Sequence, residues 1–338
     1  MAVLQHFKTG IALTRSIAHY RGHATPRPIS ASFAVTNRCN LSCSYCNFPN
    51  LDPSQLSLEQ IRQLFSNLAQ MGVARLGLVG GEPLLRADLP AIAAEAKSHG
   101  FFVSLNTNLT LLERFPERMP DVDLVFTSLD GMPETHRQAR GKKSFDGVLE
   151  GIQELRGKKL PVVAITVLTA QATEDIDALI RLATQNDFKL HFQPQCTDTD
   201  IVKGKLGEMY NTKRESHIWQ KILDAKGQGA PIASSSAYLR HMSNWDNFAM
   251  ASIMNPESRC AAGYGFLFID PQGLAYPCAY TKGKAKGIDL LTQNWQEQFT
   301  GKTPCTECAV GPMVEFNLLY KQPLASAYNM ITSYGIGT

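Results

Sequence analysis

Three cysteines crowd one short stretch, "TNRCNLSCSYCNF" at residues 36–48: Cys39, Cys43 and Cys46. Their offsets are those of one helix face, so the plain alternative to chemistry is three small side chains packed in a core. The neighbours argue against it. Only Leu41 and Tyr45 in the interval are core-like, and "NFPN" directly after it breaks regular structure. Three thiolates this close form a compact soft-ligand set, suited to zinc or to an iron–sulfur cluster. A closed zinc site wants a fourth protein ligand. No His lies in the loop, and the next cysteine downstream is Cys196. Three ligands on a four-iron cluster would leave one iron open to a further molecule.

A second set is complete in itself. Cys260, Cys278, Cys305 and Cys308 lie in "RCAAGYGFLFIDPQGLAYPCAY" and "TPCTECAVG". Four thiolates leave no open position, and ligand type alone admits either a structural zinc ribbon or a second cluster. Cys196, in "HFQPQCTD", stands apart, either as a small buried thiol or as a group facing a cavity beside Gln193 and Gln195.

The elements that must position these residues are legible in the remainder of the chain. Its 338 residues are 44% hydrophobic and 19% charged, with a net charge of +3, enough for one large domain and a smaller one around a substantial core. No block of Lys and Arg points to nucleic acid, and no apolar run is long enough to span a membrane. The N-terminal stretch has no compact apolar segment followed by a cleavage site, so clustered cysteines are expected in a reducing cytoplasm. Residues 3–20 read as a basic amphipathic helix packed on the main domain, with peripheral membrane contact as the alternative.

From residue 30 the chain alternates. Strands are expected over 30–36, 75–81, 101–108, 123–131, 161–169 and 189–195. Helices are expected over 57–72, 88–100, 144–158 and 173–187. Alternation of this kind implies parallel βαβ units, an α/β fold whose chemistry gathers beyond the C-terminal strand ends. The segments there are "TNRCN", "GGEP", "NTN", "SLDG", "LTAQ" and "QPQC". Residues 197–255 read as a largely helical bridge holding Tyr238, Arg240, His241, Trp245 and Asp246. Residues 265–278 read as a β-hairpin, and the tail from 321 is apolar for a terminus.

With CxxxCxxC after the first strand and an aromatic before the last cysteine, the chain resembles the radical S-adenosylmethionine (radical SAM) superfamily. "GGEP" at 80–83, and "SLDG" at 128–131 with "HRQARG" after it, match further segments of that family. The resemblance implies a partial (β/α)6 barrel over residues 29–196, preceded by an N-terminal helix at 1–28. A bridging segment at 197–255 and a small hairpin-and-helix auxiliary domain at 256–320 would follow, and then the tail at 321–338. It also implies that Cys39, Cys43 and Cys46 hold a [4Fe–4S] cluster whose open iron binds S-adenosylmethionine. Reductive cleavage to a 5′-deoxyadenosyl radical would then remove a hydrogen atom from substrate. By motif position, Gly80, Gly81 and Glu82 would bind the methionine amine and Tyr45 would lie by the adenine. Asn106, Ser128 and Asp130 would contact the cofactor or its ribose, and Arg140 its carboxylate.

Cys260, Cys278, Cys305 and Cys308 resemble the ligands of a SPASM or twitch domain, implying one auxiliary [4Fe–4S] cluster. The expected substrate is a small molecule (a metabolite, a sugar-like compound or a lipid precursor). The expected electron donor is a flavodoxin or ferredoxin. The alternatives are a peptide-modifying maturase, or an epimerase in which Cys196 returns a hydrogen atom.

Overall fold

The computed structural model describes residues 27–141, 144–169, 172–194, 212–244, 260–282, 285–292 and 311–321. The helix expected at 3–20, Cys196, Trp245, Asp246, Cys305, Cys308 and the tail after 321 lie outside the described residues.

Six parallel strands run β1 (Ser30–Thr36), β2 (Arg75–Gly80), β3 (Phe102–Asn106), β4 (Leu124–Ser128), β5 (Val162–Leu168) and β6 (Lys189–Pro194), each beside its predecessor in sequence. The crossovers carry α1 (Leu58–Met71), α2 (Leu89–Ser98), α3 (Pro133–Arg140), α4 (Ser144–Gly157) and α5 (Ile176–Gln185). This is the expected α/β repeat, and the expected strands and helices lie within a few residues of those observed. Local chemistry explains the boundaries. Ser57 and Gln60 close a capping box on α1, and Gly72 ends it in the left-handed region at φ 91°. Proline opens α2 and α3.

The period of two along each strand separates two faces. Outward residues such as Phe33, Leu78, Leu105 and Ala164 are buried beneath the helices, with Phe65 set edge-on between Phe33 and Phe101. The inner face carries small residues at Ser32, Gly77 and Ser104. Towards its base, Phe102, Leu124 and Val163 join Ala233 in a compact apolar plug.

Both sheet edges are extended. Beyond β6, Leu190 exchanges backbone hydrogen bonds with Pro231 and Ala233, in the link between α6 (Thr212–Gly227) and α7 (Ser236–Ser243). Trp219 and Tyr238 lock those helices edge to face, with ring centroids 5.7 Å apart. At the other edge β7 (Phe266–Ile269) pairs parallel to β1, followed by antiparallel β8 (Leu274–Tyr276) and β9 (Ile288–Asp289). The expected hairpin therefore forms, and it continues the barrel's own sheet. Two helices were not anticipated. They are α3, whose sequence is mostly polar, and α8 (Gly311–Lys321), which lies against the inner face and packs on β6 and α7.

Candidate active site at the cysteine loop and the barrel lumen

The loop carrying Cys39, Cys43 and Cys46 leaves the C-terminal end of β1 and is laced to the turn after β2. Gly81 donates its N–H to the Thr36 carbonyl and Glu82 to the Arg38 carbonyl, both at 2.8 Å. That closeness requires the two glycines. A Cβ on Gly80, already at φ 134°, would lie 2.3 Å from the Thr36 oxygen, and one on Gly81 would lie 2.3 Å from the Arg38 oxygen.

Glu82 is fully buried, and its carboxylate accepts from Leu84 N at 3.0 Å, Thr107 Oγ1 at 2.7 Å and Asn108 N at 2.7 Å. Burial nonetheless raises its pKa. Asn108 in turn donates to Asn40 inside the cysteine loop. An amine held at this turn would thus meet a carboxylate already fixed by three protein donors.

The loop's other flank rests on α3. Ser44 N donates to the Ala139 carbonyl at 2.9 Å. Arg140 Nε donates to Asp130 Oδ2 at 2.6 Å, a second Arg140 nitrogen donates to the Tyr45 hydroxyl, and that hydroxyl donates to the same Asp130 oxygen. Asp130 is wholly buried, and its other oxygen accepts from Val167 N at 2.9 Å. Arg140 Nη1 stands 3.9 Å from Cys43 Sγ. The structure thus places Tyr45, Asp130 and Arg140 in one brace under the cysteines. Asn106 lies on the inner face of β3, and Ser128 on the inner side at the end of β4.

Burial is the main cause holding the Cys39 thiol up at about 11, and the neighbouring Glu82, Cys43 and Cys46 add to it. Cys43 is raised too, against the pull of Arg140. Three thiols that feel one another in a half-buried loop make a donor set completed by a strongly positive group, which fits an iron–sulfur cluster. Among the described residues no three His, Cys, Asp or Glu side chains converge as a single ion requires. A four-iron cluster takes its thiolates on separate irons and needs no such convergence.

Cys278 belongs to a small apolar cluster with Phe266, Phe268 and Met313, and Cys260 packs against it. Asn317 of α8 fixes the first of them. Its Oδ1 accepts from Ala261 N at 2.7 Å, which turns Nδ2 towards Cys260 Sγ at 3.5 Å.

Between the inner face and α8 lies a cavity of about 220 Å³. Asn106 lines it, as do His191 of β6 and Glu315 of α8, two residues the motifs did not indicate. The signal for His191 was its inward register in "KLHFQP". For Glu315 it was a lone acid in the apolar run "GPMVEFNLLY".

Residues 33–183 match the Radical SAM superfamily. The chain is 26% identical over 315 residues to pre-heme d1 synthase of Dinoroseobacter shibae, covering 85% of this chain and 74% of that protein. It is 27% identical over 263 residues to the mycofactocin maturase MftC of Mycobacterium tuberculosis, covering 75% of this chain and 65% of that one. In fold it is similar to Streptococcus suis SuiB bound to S-adenosylmethionine. The TM-score is 0.67 at 15% identity, over 85% of this chain and 69% of that one. The cysteine loop on the first strand of a partial barrel, the matched segment and the shared fold agree: residues 33–183 form a Radical SAM superfamily domain.

Proposed function

We propose that this enzyme removes a hydrogen atom from a small molecule held in the barrel lumen. Cys39, Cys43 and Cys46 hold a [4Fe–4S] cluster with S-adenosylmethionine, which together supply the 5′-deoxyadenosyl radical. The observation that carries the reading is the cavity of about 220 Å³ between the strands and α8, sized for a small ligand. The residues of the chain do the positioning. Gly80 and Gly81 let the cysteine loop lie on the β2 turn, Glu82 ties that turn to the β3 loop, and the brace of Tyr45, Asp130 and Arg140 fixes the loop from below.

We assign Cys260, Cys278, Cys305 and Cys308 to an auxiliary [4Fe–4S] cluster, and the hydrogen-donor role of the epimerase alternative to Cys196. A flavodoxin- or ferredoxin-type protein would supply the electron. The likeness to MftC supports a second reading, a peptide-modifying maturase.

The test is anaerobic incubation with S-adenosylmethionine and dithionite, measuring 5′-deoxyadenosine from wild type and from Cys43→Ala. Equal yields would refute the reading. About eight irons per chain after reconstitution supports two clusters, and about four supports one.

A further inference from the structure

We infer that the lumen takes a flat ring with an uncharged cyclic-amide edge, seated over Gly77 with that edge hydrogen-bonded between the hydroxyls of Ser32 and Ser104. The inference rests on the lumen being the substrate chamber and names the class of substrate.

Gly77 stands in the interior of β2. Glycine weakens a strand there relative to alanine, so its presence needs a cause. Conformation is not the cause, because Gly77 is not among the residues at positive φ. Crowding by the protein is not the cause either. The nearest atoms to a Cβ at this position would be Ser32 Oγ at 3.3 Å, Ser104 Oγ at 3.5 Å and Val79 Cγ1 at 3.7 Å, all of them side-chain atoms. The missing side chain leaves a floor between two hydroxyls, and that floor lines the lumen cavity. Glycine inside a strand with neither of these causes marks the close approach of a ligand.

Ser32 pairs with Gly77 and Gly77 with Ser104, so the three residues form one row across β1, β2 and β3. All three are partly exposed and line the cavity. Among the described residues neither hydroxyl has a hydrogen-bond partner, and neither is sealed from the lumen. Each can donate and accept. Two such groups on either side of one point match an edge that carries one acceptor and one donor, as the C=O and N–H of a cyclic amide do. The row itself is uncharged, so a carboxylate or an ammonium would give up hydration there without a countercharge. The cavity's charged residues are otherwise engaged. Arg75 stacks over the Phe102 ring at 5.1 Å, and Glu315 Oε1 accepts from Ser235 N at 2.6 Å. Phe126, Phe266 and Phe316 line the cavity too and offer the ring faces an apolar surface.

Equilibrium dialysis of the anaerobically reconstituted full chain tests this with 2-pyridone, toluene, benzoate and benzylamine as probes. We expect 2-pyridone to bind at least about tenfold more tightly than any of the others, the worth of two modest hydrogen bonds. Ser32→Ala and Ser104→Ala should each weaken 2-pyridone about fivefold, and Gly77→Ala, which fills the floor, at least about tenfold. Neither hydroxyl holds a protein group, so the unfolding midpoint of both serine variants should stay that of wild type, which a merely structural role would not allow. Equal binding of 2-pyridone and toluene, no binding of 2-pyridone, or tighter binding of benzoate or benzylamine overturns the inference. So does 2-pyridone binding unchanged in all three variants. Failure here with 5′-deoxyadenosine formation intact overturns this inference alone, and loss of 5′-deoxyadenosine formation with 2-pyridone binding intact overturns only the proposed reaction.

Discussion

Arg140 and Asp130 form a pair whose removal can be costed in advance. The carboxylate is fully buried and the guanidinium side chain is 11% exposed. In Arg140→Met the Asp130 charge keeps only the Tyr45 hydroxyl and the Val167 amide as donors. Breaking a buried pair on one side costs about 3–5 kcal/mol, because the surviving charge stays buried and uncompensated. Asp130→Asn strands the guanidinium in the same way. The double variant buries no net charge there, so its cost should fall about 2–3 kcal/mol short of the sum of the two single costs. Denaturant unfolding of the metal-free chain measures all three. Because the pair supports the cysteine loop through Ser44, Tyr45 and Cys43, each single variant should also retain less iron after reconstitution. Single losses below about 1 kcal/mol, or losses that simply add, would refute the idea of a buried and coupled brace.

Gly81→Ala places a Cβ 2.3 Å from a backbone oxygen, whereas Gly100→Ala, at a positive φ of 79°, meets nothing within 4 Å. The first should cost about 3 kcal/mol or more and the second about 1, by thermal or denaturant unfolding. Glu82→Gln gives the Leu84, Thr107 and Asn108 donors one acceptor oxygen in place of two, an expected loss of about 1–3 kcal/mol in the same assay. Glu315 keeps a proton in the folded chain that the unfolded chain releases. Its contribution to stability is thus present below about pH 4.5 and lost as pH rises through about 7. Between pH 5 and 8, wild type should lose about 3 kcal/mol relative to Glu315→Gln. A stability difference independent of pH would show that the carboxyl is not held protonated.

Much of the barrel was legible because periodicity and burial coincide in it. "SASFAVT" alternates because one side meets α1 and the other the lumen, and "SLEQIRQLFSNLAQMG" carries its own cap and stop. The cysteine loop was legible because three like ligands at short spacing have few other uses. What escaped detection depends on tertiary contact. Only His136 and Ala139 of α3 are buried, too few to mark a helical stripe. That β7 docks parallel on β1 is a pairing between distant segments which no local pattern encodes. That Asp130 and Arg140 brace Tyr45 shows only in their distances. His191 and Glu315 come together only through the position of α8.

The double pairing of β1 also has a consequence in time. Ser30 faces Arg75 on one side and Phe266 on the other. The first neighbour is made soon after β1 itself, and the second only when most of the chain has been synthesised. Distant pairings are closed late, and a strand awaiting its partner shows a bare row of amides and carbonyls. While the chain is being made, the cysteine loop therefore stands at the unprotected margin of a growing sheet. The docking of β7 ends that exposure, and β7 lies between Cys260 and Cys278 in the chain. The order of synthesis thus becomes an order of assembly, in which the loop on β1 can be filled before the C-terminal thiols exist to compete for its iron.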